Sequence, residues 1–381
     1  MSASTPMKIM AIMVAAVTFG AAAADAELKW KNRYVGFSTG YDSNVNRVSS
    51  DAAPPGVEIQ DDARFVGYGA LGFQYQLEKR LEAGLDLKPY YIKYAGEERF
   101  DRGDALLAAY TKVRLSNQWS LEFTDRFRVT AYPNRSGWDR FFNSLRSKVV
   151  FRPSGRWWTS LQYRSLYRDN PRSNLDYSYA NGIAASVHVS ATTRLSVVAL
   201  GQIDFQTVRF LFPRDESGER SWIDLSFRYL LGRNTLLMGK YMFQHDDMGI
   251  VFAQGTDFDK LGDAAEDATD GIFQSIRFLE ATDFNFDKHL FILSSHTSLN
   301  AGSFVDILLL YQHKHLQEPV LERADRPDRV DDTFVTQVGY ERAIAQALSL
   351  MLHLRYETND SNDPDNDFWF VTSGVALKYS F

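Results

Sequence analysis

Along most of the chain, apolar residues recur at every second position. Leu81, Ala83, Leu85, Leu87 and Tyr91 alternate with Glu82, Gly84, Asp86, Lys88 and Tyr90. Leu107, Ala109, Thr111, Val113 and Leu115 alternate with Ala108, Tyr110, Lys112 and Arg114. The same period runs through Trp157 to Arg168, Trp222 to Leu231 and Leu348 to Glu357. A helix would bring its apolar residues back at three and four, so these segments are strands with one apolar and one polar environment.

The connections alternate as well. Short turns are predicted near Lys79, Ser116-Asn117, Pro153-Ser154-Gly155, Ala191-Thr192, Gly232-Arg233, Ala301-Gly302 and Ala345. Between them lie longer polar links, at Ser43 to Asp61, Leu211 to Glu219, Gly249 to Asp283, Leu316 to Asp331 and Asn359 to Asp367. Short turns on one rim, long loops on the other and about sixteen strands of about ten to fifteen residues describe an all-β transmembrane antiparallel up-and-down β-barrel. A soluble sandwich or propeller would use strands nearer five or six residues and would not predict this loop asymmetry.

The N-terminus supplies a route to the membrane. Lys8 precedes an apolar run from Ile9 to Phe19, then small residues ending Ala24-Asp25-Ala26. This reads as a secretory signal peptide cut after Ala26, with Ala24 as the alternative. It divides the chain into residues 1–26, the signal, and 27–381, the barrel. An even strand count then returns Phe381 to the periplasm, where the mature chain begins. Aromatic residues make up 14% of the chain, yet its mean hydropathy is -0.30. Nothing after residue 26 approaches the roughly 18 consecutive apolar residues of a transmembrane helix. The lack of Cys suits passage through an oxidising periplasm. A net charge of -6 without a basic block argues against nucleic acid as a partner.

The chain closes on "TSGVALKYSF", with Val375, Leu377, Tyr379 and Phe381 on one face and Ala376, Lys378 and Ser380 on the other. A long apolar edge is an aggregation hazard, so this strand is expected to pair with the first, about Arg33 to Tyr41, and close the barrel. The ending resembles the C-terminal signature of bacterial outer-membrane proteins. That resemblance implies a Gram-negative outer membrane, contact with its lipid, and reading of Val375, Leu377, Tyr379 and Phe381 by the barrel assembly machinery. "TGYDSNVNR", Thr39 to Arg47, is similar to the first-strand segment of barrels in surface-lipoprotein assembly modifiers and related export proteins. Those proteins carry periplasmic helical repeats before the barrel, whereas this barrel starts within a few residues of the predicted cleavage site. Read simply, Asp42, Asn44 and Asn46 are turn formers ending the first strand.

Candidate chemistry lies on the polar faces of the fourth to seventh strands. Lys112, Arg114, Arg126, Arg128, Arg146, Lys148, Arg164 and Arg168 should point into the lumen, opposed on those faces mainly by Glu122. Counted from the turns, Arg126, Arg146 and Arg164 fall at similar heights. A cationic wall raises the local concentration of anions; the same cations can also be satisfied by carboxylates across the barrel. The longest link carries Asp257, Asp259, Asp263, Glu266, Asp267 and Asp270, and its stretch "GIFQSIRFLE" is apolar enough to fold inward. An acidic loop facing an arginine wall resembles the constriction of general porins.

Two strands fit less well. Asp125 shares the apolar face of Trp119, Leu121, Phe123, Phe127 and Val129, which places it at a register bulge, at a rim or at a contact within a homo-oligomer. Phe286 to Leu299 has neither face cleanly apolar. Enzymatic signatures are thin. "QHDD", Gln244 to Asp247, resembles the acidic and His pairs of outer-membrane aspartyl proteases without a second matching pair. "NDSNDPDND", Asn359 to Asp367, lacks the full spacing of a calcium loop. No catalytic set, metal or cofactor is expected. The sequence points to a passive channel for small, anionic solutes rather than to an enzyme. The alternative is a barrel for export or surface assembly of lipoprotein or polysaccharide, working with periplasmic partners.

Overall fold

The structure, a computed structural model, describes residues 26–43, 61–77, 80–96, 98, 101–134, 140–169, 175–210, 215–247, 286–300, 302–316, 328–362 and 367–381. The first strands are β1 (Ala26–Asp42), β2 (Asp62–Leu77), β3 (Leu81–Tyr94), β4 (Arg102–Arg114), β5 (Trp119–Ala131) and β6 (Arg140–Phe151). Then follow β7 (Trp157–Asp169), β8 (Leu175–Ser190), β9 (Leu195–Phe210), β10 (Asp215–Leu231) and β11 (Thr235–Asp247). The last are β12 (Phe286–Asn300), β13 (Ser303–Leu316), β14 (Val330–Ala345), β15 (Leu348–Ser361) and β16 (Phe368–Ser380). Each pairs with its neighbours in sequence, and β16 returns to β1, closing a sixteen-stranded antiparallel barrel. The strands run from 12 to 17 residues, enough for a tilted strand to cross a bilayer.

The closure follows from the terminal alternation. Tyr34 stands opposite Ser380, and the register continues to Asp42 opposite Thr372. Phe381 N–H donates to the Arg33 carbonyl at 3.1 Å, the last rung of the seam. The first strand begins earlier than its sequence pattern suggests. Ala26 to Lys31 pair with β2 alone, and the register shifts between Lys31 and Arg33. Such a bulge interrupts the two-residue period, which hides the first part of β1 from a search for alternation.

Period two sorts the side chains into two media. Outward Val35, Phe37, Leu161 and Ile223 are 54%, 58%, 57% and 61% exposed, while inward Ser38, Arg64, Asp204 and Asp224 are buried. Val375, Leu377, Tyr379 and Phe381 belong to the exposed set. A continuous apolar belt of this kind is not left in water by a soluble domain; it is a surface for lipid.

The short turns are specified locally. Trp119, Trp157 and Leu195 each donate a backbone N–H to the hydroxyl three residues earlier, on Ser116, Ser154 and Thr192, at 3.1, 3.3 and 3.0 Å. Gly232 and Gly302 have φ of 71° and 86°, a left-handed turn geometry that side chains disfavour. The link expected at Leu211 to Glu219 is shorter than the sequence implies, because β10 already starts at Asp215. Its polar opening, Asp215 to Glu219, continues the ladder with β9.

Asp125 pairs regularly with Ala109 and Leu145 in the middle of β5, so it marks neither a bulge nor a rim. Its carboxylate accepts a hydrogen bond from Asn143 Nδ2 at 2.7 Å on the outer face of β6.

Candidate functional site

The inward faces of β4 to β7 bring the predicted cations onto one wall. Antiparallel register sets Lys112, Glu122 and Lys148 side by side on β4, β5 and β6. Glu122 lies 2.8 Å from Lys112 Nζ and 3.7 Å from Lys148 Nζ, between the two ammonium groups. Lys148 also sits 4.9 Å from the centre of the Trp158 ring. Arg146 stands opposite Arg164, and Arg126 is displaced by two residues from Arg146, whose β5 partner is Thr124. Arg146 and Arg164 thus share one row of the ladder, and Arg126 lies one inward position away from it. Arg114 is exposed at the short-turn end of β4. Arg168 lies on β7 opposite Phe142 and Ser178, and its side chain is outside the described part.

Besides Glu122, two carboxylates that the sequence pattern does not single out meet these cations, Asp104 on β4 and Asp204 on β9. Asp104 on β4 receives Arg102 at 2.8 Å and Arg128 at 3.3 Å, with Thr130 Oγ1 at 2.5 Å. Arg164 Nη2 donates to Asp204 Oδ2 at 2.7 Å, spanning from β7 to β9. The strand between them makes this possible. Gly182 on β8 is in register with both, and a Cβ at that position would come within 1.7 Å of the Asp204 carboxylate. Gln202 Nε2 holds the other carboxylate oxygen at 2.7 Å. The Arg164 guanidinium lies 5.0 Å from the centre of the Trp222 ring. Arg164 is thus fixed by an ion pair and a ring face, both supplied from outside its own pair of neighbouring strands.

Two lumen features were not legible beforehand. Inward Arg220, Lys288 and Lys314 gather round the ring of Phe286 at 5.8, 5.7 and 4.4 Å. Arg220 also bonds Asp246, and Gln206 Nε2 reaches the same carboxylate at 3.1 Å. The second feature is an apolar cluster on the inner faces of β10 to β14, formed by Trp222, Met242, Leu290, Ile292, Leu308, Leu310 and Val335. β12 reads ambiguously because its inner face carries Lys288 beside Leu290 and Ile292 while its outer face carries Asp287 and His289. In β13, Ile307 to Leu310 are apolar on both faces, so alternation alone cannot say which side is the lumen.

"QHDD" divides between the two faces. Gln244 and Asp246 point inward and are buried, whereas His245 points outward and bonds Asp287 at 2.7 Å. Its His and the following Asp therefore do not form a pair. Asp257, Asp259, Asp263, Glu266, Asp267 and Asp270 of the longest link lie outside the described residues.

No family model matches the chain, and no curated protein does so. Among solved structures it is similar to the outer membrane channel DcaP of Acinetobacter baumannii, with a TM-score of 0.53 at 10% identity, covering 94% of this chain and 98% of that one. It is also similar to an anion-selective porin from Comamonas acidovorans, with a TM-score of 0.51 at 11% identity, covering 93% and 100%. At such identities the likeness concerns the fold. The chain has the fold of an outer-membrane β-barrel.

Proposed function

We propose that the barrel is a channel of the cell outer membrane that passes small solutes passively and prefers anions. One observation carries this reading. On the inward faces of β4 to β7, the described side chains include the cations Arg102, Lys112, Arg114, Arg126, Arg128, Arg146, Lys148 and Arg164, and only Asp104 and Glu122 as carboxylates. Asp204 reaches in from β9 and leaves the excess positive. Fixed cations lining a water-filled path attract anions and repel cations, most strongly where water screens least. The likeness to an anion-selective porin agrees with this reading.

The test is the reversal potential of the purified barrel in planar bilayers under a salt gradient. Replacing Arg126 and Arg146 together by Gln should lower the anion-to-cation permeability ratio while the protein still folds and remains heat-modifiable. Arg164 is better left in place in the first variant, because removing one member of a buried ion pair is destabilising by about 3–5 kcal/mol. A barrel that conducts no ions would overturn the channel reading, and an unchanged permeability ratio would overturn the role of the wall.

A further inference from the structure

We infer, on the basis of the anion channel proposed above, that its short-turn mouth is a loading site for linear solutes carrying several negative charges. Short turns mark the periplasmic end of such barrels. The register places Arg114, Arg152 and Arg228 on the inward-facing rows at this end of β4, β6 and β10. Arg156 and Arg194 stand in the adjoining turns, and all five arginines are exposed. Among the described residues, no carboxylate lies within ion-pair distance of any of them. The carboxylates at neighbouring inward positions face lysines instead. Glu122 lies between Lys112 and Lys148, Glu82 stands opposite Lys112, and Asp224 is held by Lys240 at 2.5 Å. Solvated arginines around a water-filled opening gather anions there.

Aromatic rings fix part of this mouth. Trp158 and His188, inward register partners on β7 and β8, stack with ring centres 3.3 Å apart and planes 11° apart. Lys148 and Arg152 lie over the Trp158 ring at 4.9 and 5.6 Å, and the charge of Arg228 reaches His188 from β10. His188 Nε2 is in turn 3.2 Å from Ser186 Oγ, which meets Ser160 Oγ at 2.7 Å. A cation resting on an indole face keeps its N–H groups for a ligand, whereas an ion pair with a carboxylate would consume them. The platform therefore holds positive charge in place without neutralising it.

Inward from the mouth the same wall continues without a gap. Arg152, Arg114, Lys148, Arg146, Arg126 and Arg128 occupy successive inward rows of the ladder. Rows on one face of a strand are about 7 Å apart, so an extended anion leaving one row already touches the next. A solute with a single charge has no such bridge. With several charges, holding one row raises the effective concentration of the remaining charges at the next, and affinity grows faster than charge number. Towards the far mouth the inward cations Arg102, Arg220 and Arg355 are each paired, with Asp104, Asp246 and Glu357. Loading is therefore one-sided.

The experiment is block of the ion current through the full-length barrel in planar bilayers, with tripolyphosphate or orthophosphate added to one chamber at a time. Tripolyphosphate should half-block the current at a concentration about tenfold or more below that of orthophosphate, and from one side only. Arg152→Gln with Arg228→Gln should raise that concentration about tenfold or more and leave the weak block by orthophosphate nearly unchanged. Both arginines are exposed and carry no ion pair, so the double variant should fold, and heat-modifiability checks it. Arg114→Gln provides a second, single-site arm with the same sign. Calorimetry with tripolyphosphate in detergent adds a readout that needs no conduction. A barrel that carries no current yet binds tripolyphosphate through Arg152 and Arg228 would overturn the channel reading and leave the loading site standing. Equal block from both sides, equal block by the two phosphates, or unchanged affinity in the double variant would each overturn the loading site alone.

Discussion

Gly182 shows how much a single position decides. It lies in register between Arg164 and Asp204, and the ion pair passes over the space where its side chain would be. Adding a Cβ brings it to 1.7 Å from the Asp204 carboxylate and 2.7 Å from the Ile203 carbonyl, which is backbone and cannot step aside. Gly182→Ala should destabilise the barrel by about 1–3 kcal/mol, the range for overpacking. The measurement is the temperature at which the folded form is lost on a heat-modifiability gel, which should fall. Asp125 makes the opposite case. It faces the bilayer from mid-strand with Asn143 as its hydrogen-bond donor, and a carboxylate there costs stability because lipid cannot solvate it. Asp125→Leu should raise stability by about 1–2 kcal/mol. A drop in stability in the same assay would show that the outer face of β5 and β6 is covered by another copy of the chain.

Among the elements, β1 separates into two parts with different duties. Ala26 to Lys31 pair only with β2, whereas Tyr34 to Asp42 also form the seam with β16. Deleting Glu27 to Lys31 should leave a folded, heat-modifiable barrel. Deleting Tyr34 to Tyr41 should abolish folding, because it exposes two long edges in a medium that cannot hydrogen-bond them. β16 carries a second expectation. Its exposed Val375, Leu377 and Tyr379 end in Phe381, whose ring stacks on Tyr379 at 6.2 Å and whose N–H completes the seam at Arg33. Removing Phe381 should lower the amount of barrel in outer-membrane fractions more than removing an equal length from a long link. Equal losses would separate the terminal residue from assembly.

At the scale of the whole molecule, the lumen has unlike sides. Cations predominate on β4 to β7, while β10 to β14 present an apolar cluster with Arg220, Lys288 and Lys314 near one end. An asymmetric field of this kind acts through the electrolyte. The screening length is about 10 Å at 0.1 M salt and about 3 Å at 1 M, so anion preference should be larger in dilute potassium chloride and shrink as the salt is raised. Reversal potentials measured at the two concentrations check this. A preference that does not change with salt would assign selectivity to direct contact at a narrow point instead of the field of the wall.

The alternation of apolar and polar positions is a local property of extended backbone, and it was sufficient for the fold. Successive side chains point to opposite faces, so the sequence by itself determined that this is a barrel in lipid, how its last strand finds its first, and that Lys112, Arg126, Arg146 and Arg164 face inward. The same logic failed where both faces carry like residues, as in Ile307 to Leu310, or where a bulge breaks the count, as at Lys31 and Arg33. Only the tertiary structure decided which carboxylate each cation meets. Asp204 reaches Arg164 from two strands away, over a glycine, and Arg220, Lys288 and Lys314 converge on Phe286 from three strands. Such meetings depend on the relative register of strands far apart in the chain, on the curvature of the closed wall and on where a side chain is missing. None of these has a period, so none leaves a mark on the sequence.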